Sequence, residues 1–165
     1  MGAEAILREV LAAWAPPPRM TVSEWAEARR YLSPEASAEA GPWSNARAPH
    51  LVQPMECLSP YHPAERVVCK FSSQTGKTEV ILNFIGFIMD LDPGPILAIQ
   101  PNVTPMGEAF SKDRISPMLR DSPSLKAKTH RKARDSASTI THKTFPGGHL
   151  TIAGARPCLG DDGLV

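Results

Sequence analysis

Residues 67–79 read Val-Val-Cys-Lys-Phe-Ser-Ser-Gln-Thr-Gly-Lys-Thr-Glu. An apolar run, a turn through small polar residues and a second apolar segment predict a strand, a phosphate-binding loop and a helix. In such a loop the backbone N–H groups and the N-terminus of the helix face an anion. Lys77 would reach the β- and γ-phosphates of a nucleotide, and the Thr78 hydroxyl would bind the magnesium ion that bridges them.

The loop departs from the full phosphate-loop pattern at one position, because Phe71 stands where the pattern has its first glycine. The flanking sequence supports the interpretation, since residues 80–89 are apolar enough for a buried helix that stops at Asp92-Pro93-Gly94. The alternative is an ordinary strand-to-helix turn. The predicted nucleotide site comprises Ser73, Gln74, Thr75, Gly76, Lys77, Thr78 and Glu79, with catalytic roles for Lys77 and Thr78 and the magnesium ligand at Thr78.

Several separated motifs resemble one known family. They are Ser72–Glu79, Asp92-Pro93-Gly94-Pro95 followed by Gln100-Pro101, Ala109–Arg114, and Phe145–Leu150. In this order they resemble the large terminase subunit of tailed phages, closest to the lambda-like GpA type, over about residues 21–155. The resemblance implies an ATPase that uses ATP and Mg²⁺ to package viral double-stranded DNA in the host bacterial cytoplasm. Its implied partners are the small terminase subunit, the portal and the prohead.

The chain also departs from this family. Many large terminases carry an arginine in the phosphate loop, and this chain has Ser73. The resemblance predicts an apolar strand ending in acidic residues after Ala155 and then a nuclease domain, but Asp161-Asp162 follows no such strand. We therefore expect a truncated product that is inactive in isolation. Two alternatives stay open: a non-catalytic remnant that binds nucleotide or the small subunit, and a helicase-like ATPase.

Composition bounds the domain organisation. The 165 residues are 42% hydrophobic and can bury one core, and their net charge of +1 gives no argument for nucleic acid. The predicted fold is α/β, with an incomplete P-loop NTPase-like parallel sheet, a helical N-terminal arm and a β-hairpin near the C-terminus. The predicted divisions are a proline-rich arm at 1–50, a partial ATPase domain at 51–155 and a divergent tail at 156–165. Three cysteines in no metal-type spacing suit a reducing cytoplasm, and no membrane segment is evident.

The arm contains two predicted helices. Apolar residues at helical spacing over residues 6–14 form one face, which either folds back on the core or docks on the small subunit. A capping-box pattern at Thr21 and Glu24 begins a second helix that should run to Tyr31 or Leu32. Trp43 either packs in the core or stacks on adenine.

The remaining elements follow from periodicity and turn residues. We expect a helix over 51–58, a buried strand over 95–100, a helix over 108–120 and a hairpin that joins 138–145 to 149–154. The strand over 67–71, its helix and the strand over 95–100 would form a right-handed βαβ unit, which places loops 71–76 and 100–104 side by side. His142 and His149 could meet across the hairpin without forming a metal site. The basic cluster over 126–134 either contacts DNA or is a solvated surface.

Overall fold

The computed structural model describes residue 4 and residues 18–35, 37–129 and 139–155. The helices are α1 (Val22–Arg29), α2 (Val52–Cys57), α3 (Lys77–Leu91), α4 (Ser116–Asp121) and α5 (Pro123–Thr129). The strands are β1 (Tyr31–Leu32), β2 (Gly41–Pro42), β3 (Pro95–Gln100), β4 (His142–Phe145) and β5 (Gly148–Gly154). The predicted helix over 6–14 lies outside the described residues. No helix in the described ranges has the length and hydrophobicity needed to cross a membrane.

Helix α1 begins where its sequence predicts. The Thr21 N–H donates to Glu24 Oε2 over 2.8 Å and the Glu24 N–H donates to Thr21 Oγ1 over 3.3 Å, which completes the capping box. The helix ends at Arg29, earlier than predicted, because β1 pairs antiparallel with β2. The confirmed cap thus fixes the entry of a helix whose Trp25 is fully buried.

Helix α3 is the centre of the core, and α1, α2 and α5 pack against it. Its buried face includes Val80, Leu82, Ile85 and Met89. A Cβ at Gly86 would lie 2.3 Å from Cη2 of Trp25, so only glycine lets the indole pack this close to the helix. The long apolar run after the phosphate loop is therefore the buried helix that the sequence predicts.

A buried carboxylate joins three helices. Asp90 accepts hydrogen bonds from Trp25 Nε1 and Arg29 Nη1, each over 2.8 Å, and pairs with Lys128 Nζ at 2.9 Å. Its side chain is only 2% exposed. Burial acts to raise the pKa of Asp90, but the hydrogen bonds from Lys128, Trp25 and Arg29 outweigh that effect and hold the pKa below its usual value. Asp90 thus fixes α1 and α5 on α3.

The described strands form a two-stranded sheet, β1-β2, and a three-stranded sheet with the order β3-β5-β4. Strand β3 pairs parallel with β5, and β5 pairs antiparallel with β4 through the predicted hairpin. The α/β class, a strand over 95–100 and the hairpin are confirmed, while the sheet is mixed rather than purely parallel. The prediction that the strand over 95–100 is buried is wrong: Leu97 and Ile99 are 62% and 60% exposed, because only the face that carries Ile96 and Ala98 packs on the core. One face packs on the core through Phe145, Leu150 and Ile152.

The prediction of a strand over 67–71 is wrong. These residues have no regular structure and pair with none of the described strands, and Val68 is 82% exposed. Apolar, β-branched residues favour a strand only where a neighbouring strand supplies hydrogen bonds. Without this strand, the described residues do not form the predicted βαβ unit.

The predicted helix over 108–120 is interrupted. A wider, π-type turn occupies Phe110–Ile115 inside the predicted range, and the α-helix α4 follows only from Ser116 to Asp121. Another such turn, with non-helical backbone angles at Thr104, precedes the predicted range at Val103–Gly107. Pro117 lacks the N–H that would continue a regular helix from the preceding turn. Ile115 and Leu119 are nevertheless buried, and Phe110 packs against the core, as their spacing predicts.

Candidate functional site

The phosphate-loop sequence folds as a tight turn that ends where helix α3 begins. Gly76 caps the helix with φ +87° and ψ 12°, a left-handed conformation that glycine adopts without a steric penalty. Gln74 also has a positive φ, of 56°. Helix geometry gives the N–H groups of Lys77 and Thr78 no acceptor within the helix, so they are free to bind an anion.

The loop is closed by its own hydrogen bonds. Lys77 Nζ donates to the carbonyl oxygen of Phe71 over 3.4 Å and also to that of Ser72. Thr75 Oγ1 donates to the same Ser72 oxygen over 3.0 Å. The ammonium group therefore lies against the loop, with two neutral oxygens as acceptors.

The segment before α2 packs on this loop. His50 Nε2 lies 3.0 Å from the carbonyl oxygen of Thr75, and the His50 ring meets the Phe71 ring edge-on at a centroid distance of 6.4 Å. A Cβ at Gly76 would lie 2.8 Å from Cδ1 of Leu51. Residues 49–51 form a short 3₁₀ turn that leads into α2, which is shorter than the predicted helix over 51–58.

Glu79 is fixed by a buried arginine. Arg30 Nη2 lies 3.3 Å from Glu79 Oε2, and the Arg30 side chain is only 3% exposed. Desolvation lowers the pKa of Arg30, while the charge of Glu79 and its hydrogen bond act in the opposite direction. An arginine stays protonated near neutral pH, so this pair joins the end of α1 to the first turn of α3.

A cavity of about 770 Å³ adjoins the loop, within the size range of small-molecule sites. Its lining includes Gln74, Thr75, Gly76 and Glu79, but not Ser73, Lys77 or Thr78. The opposite wall comes from residues 32–51 and includes Leu32, Trp43, Arg47, His50 and Leu51. Four of the seven predicted site residues thus line one end of the cavity, the two with predicted catalytic roles do not, and the motif did not predict the other wall.

Trp43 packs mainly in the core. It is 6% exposed, and its Nε1 donates to Asn45 Oδ1 over 2.8 Å. Of the two interpretations of this side chain, the structure favours core packing, with one edge contributing to the cavity wall.

The loop over 100–104 does not line this cavity. Asn102, Val103 and Thr104 instead line a separate cleft of about 370 Å³ with Gly154, at the carboxyl ends of β3 and β5. The two loops were expected side by side because two paired strands would have carried them. Since residues 67–71 pair with no described strand, the pair of strands that would carry both loops is not formed within the described residues.

The other polar candidates lie elsewhere. His142 and His149 do meet across the hairpin, with ring centroids 5.3 Å apart, and His142 Nδ1 lies 3.0 Å from Thr151 Oγ1. Within the described ranges, no three His, Cys, Asp or Glu side chains gather in a metal-binding group. Of the basic cluster over 126–134, residues 126–129 are described, and Lys128 is bound to Asp90.

Sequence comparison identifies one related family. The sequence model of the family described as phage terminase large subunit gpA, ATPase domain, matches residues 37–158. No curated protein and no solved structure matches the chain. The matched range contains the loop, the cavity wall from Trp43 to Leu51 and the whole three-stranded sheet.

Proposed function

Because this chain belongs to the family of phage terminase large subunit gpA ATPase domains, we propose that it binds ATP with magnesium at residues 73–79. We further propose that it is the ATP-binding part of a motor that moves viral DNA into the prohead. The observation that supports the site best is the left-handed Gly76, which opens α3 at the end of a loop whose first residues accept hydrogen bonds from the Lys77 ammonium group. The family match favours this function over a helicase-like one.

The loop residues fit a triphosphate chemically. Lys77 now donates to the neutral carbonyl oxygens of Phe71 and Ser72, and a charged phosphate oxygen is a stronger acceptor than either. The ammonium group would therefore turn to the β- and γ-phosphates, while the backbone around residues 74–76 holds the anion. Thr78, which is half-buried at the first turn of α3, would supply the hydroxyl ligand of Mg²⁺.

The adjoining cavity would take the base and ribose. Its apolar wall includes Leu32 and Leu51, while Arg47 and Glu39, paired at 3.2 Å, are exposed on its lining. Trp43 contributes only an edge, because the indole is buried and bonded to Asn45. Apolar lining with a few polar groups is the usual character of a nucleotide-sized pocket.

Binding is expected to exceed turnover in this chain. In phosphoryl transfer an acidic strand-end residue and an arginine finger support the attacking water and the developing charge, and the finger alone contributes roughly 10³ to 10⁵ in rate. Ser73 stands where many large terminases carry a loop arginine, and the sequence directly before Asp161-Asp162 contains no run of four apolar residues. ATP hydrolysis by the isolated chain should therefore stay near background.

The test is ATP binding and turnover by the purified chain and two lysine variants. Lys77→Ala should abolish measurable binding, while Lys70→Ala, which removes an exposed lysine from the same segment, should leave it unchanged. Binding that survives Lys77→Ala would refute the phosphate-loop assignment. Robust turnover that requires Lys77 would refute only the expectation of low hydrolysis.

Two partner contacts complete the proposal. The apolar face over residues 6–14 would dock on the small terminase subunit, and deletion of residues 1–18 should then abolish co-purification with it. Unchanged co-purification would contradict that contact. The basic cluster over 126–134 would contact the DNA backbone. The chain would contact the portal and the prohead only within the assembled packaging motor, in the host cytoplasm.

A further inference from the structure

His50 contacts the phosphate loop at both of its ends. Its Nε2 lies 3.0 Å from the carbonyl oxygen of Thr75, and its ring meets that of Phe71. A carbonyl oxygen can only accept, so Nε2 carries the proton and donates. The histidine lies 25 residues before Thr75 in the chain and belongs to no part of the loop motif.

This hydrogen bond fixes one peptide group. The Thr75 carbonyl and the Gly76 N–H belong to the same planar, trans peptide and therefore point in opposite directions. While the oxygen is held toward His50, the Gly76 N–H is held on the opposite side. That N–H is among the backbone donors expected to face a phosphate.

The same peptide would be easy to rotate without such a contact. Gly76 has φ +87°, and glycine populates positive and negative φ about equally. Gln74, one residue before Thr75, also has a positive φ, of 56°. A loop that combines these conformations needs support from outside, and Leu51 against Gly76 adds a second contact from the same 3₁₀ turn.

We propose that His50 is a positioning residue that holds the Thr75–Gly76 peptide in its anion-binding orientation. This inference rests on the proposed nucleotide function. His50 also lines the cavity, so a direct contact with the base is the competing role. The two roles differ in which ligands they affect: a positioning residue acts on every ligand that uses the phosphate cradle, whereas a base contact acts only on a nucleotide.

The experiment compares Mg²⁺-ATP with Mg²⁺-tripolyphosphate, which has no base or ribose, by calorimetric titration of the full chain. His50→Phe keeps a ring against Phe71 but removes the donor, and His50→Gln keeps an N–H donor at a similar reach. Loss of one hydrogen bond should weaken both ligands by the same factor, about twofold to tenfold, in His50→Phe. His50→Gln should stay close to the parent chain.

Controls make each outcome decisive. His62→Phe alters another exposed histidine, which bonds only locally to the Ala64 N–H, and should change neither affinity. Unchanged tripolyphosphate binding in His50→Phe would overturn the proposal, and so would a loss confined to ATP. If His50→Phe unfolds, His50→Asn replaces it, because the asparagine side chain is too short to bring its N–H to the Thr75 carbonyl oxygen. The same loss of affinity for both ligands is expected in that variant. Failure of the proposed nucleotide function would be seen in a different variant, because tripolyphosphate binding would then be unaffected by Lys77→Ala.

Discussion

Replacing Asp90 with alanine tests the packing that holds helix α3 in place. The substitution leaves Arg29, Lys128 and the Trp25 indole N–H without their shared acceptor, around a carboxylate that is 2% exposed. Removing one partner of a buried ion pair costs about 3–5 kcal/mol, because the remaining charges stay desolvated. Arg29 and Lys128 are about one-third exposed and can recover some hydration, so we expect the lower end, about 3 kcal/mol.

Urea unfolding followed by circular dichroism measures this loss. For a domain of this size, a loss of about 3 kcal/mol in the free energy of unfolding would also lower the melting temperature in thermal unfolding by roughly 6–12 °C. Asp90→Asn retains an oxygen acceptor for the indole and should lose less. Asp113→Ala removes an exposed carboxylate and should change stability by at most about 0.5 kcal/mol. A loss below about 1 kcal/mol in Asp90→Ala would refute the assignment of Asp90 as the joint between three helices.

Three further predictions concern pH, the loop glycine and DNA. Because the folded pKa of Asp90 lies below its ordinary value of 3.8, the contribution of its carboxylate to stability is present above about pH 4 and is lost as pH falls through the folded pKa. The stability difference between the parent chain and Asp90→Asn, measured by urea unfolding from pH 7 to pH 3, should therefore shrink only at the acid end. A stability difference that grows at the acid end would contradict the lowered pKa. Gly76→Ala places a side chain on a residue with φ +87° and against Leu51, so ATP affinity should fall about tenfold. Gly94→Ala, whose Cβ would meet only Asp92 O at 4.0 Å, should bind ATP normally. Equal ATP affinities of the two variants in titration would disprove the strain argument. Binding of the isolated chain to double-stranded DNA, followed by fluorescence anisotropy, should be weak and should fall steeply between about 50 and 200 mM salt, and tight binding that survives the higher salt would exclude the basic cluster as the contact.

Local sequence signals predicted the elements that depend on neighbouring residues. The Thr21 capping box, the apolar α3 segment, the strand over 95–100 and the hairpin each carry their cause within a few residues, and all four form. The burial of the strand over 95–100 was predicted wrongly, because an apolar run does not show whether both of its faces are covered. The strand over 67–71 failed because pairing requires a partner strand, which β propensity cannot supply. The helix over 108–120 failed in part because Pro117 interrupts the regular hydrogen bonds.

The loop motif predicted one end of the candidate site and missed its surroundings. Arg30 lies 49 residues from Glu79 and His50 lies 25 residues from Thr75, so no local pattern relates them. One signal was present: a short proline-flanked segment with a histidine, 49–54, precedes the loop closely enough to pack on it. Its role emerges only when α1 and α2 pack on α3 and bring residues 30–51 to the loop.

Amide hydrogen exchange with and without Mg²⁺-ATP tests the central claim most directly, because it locates the bound phosphates on the chain. We predict slower exchange in peptides that cover residues 74–79, where the loop and the first turn of α3 provide the backbone donors. Peptides that cover Asn102–Thr104, at the separate cleft, should be unaffected. Protection confined to that cleft, or no protection at residues 74–79 at saturating nucleotide, would contradict the assignment of the phosphate site.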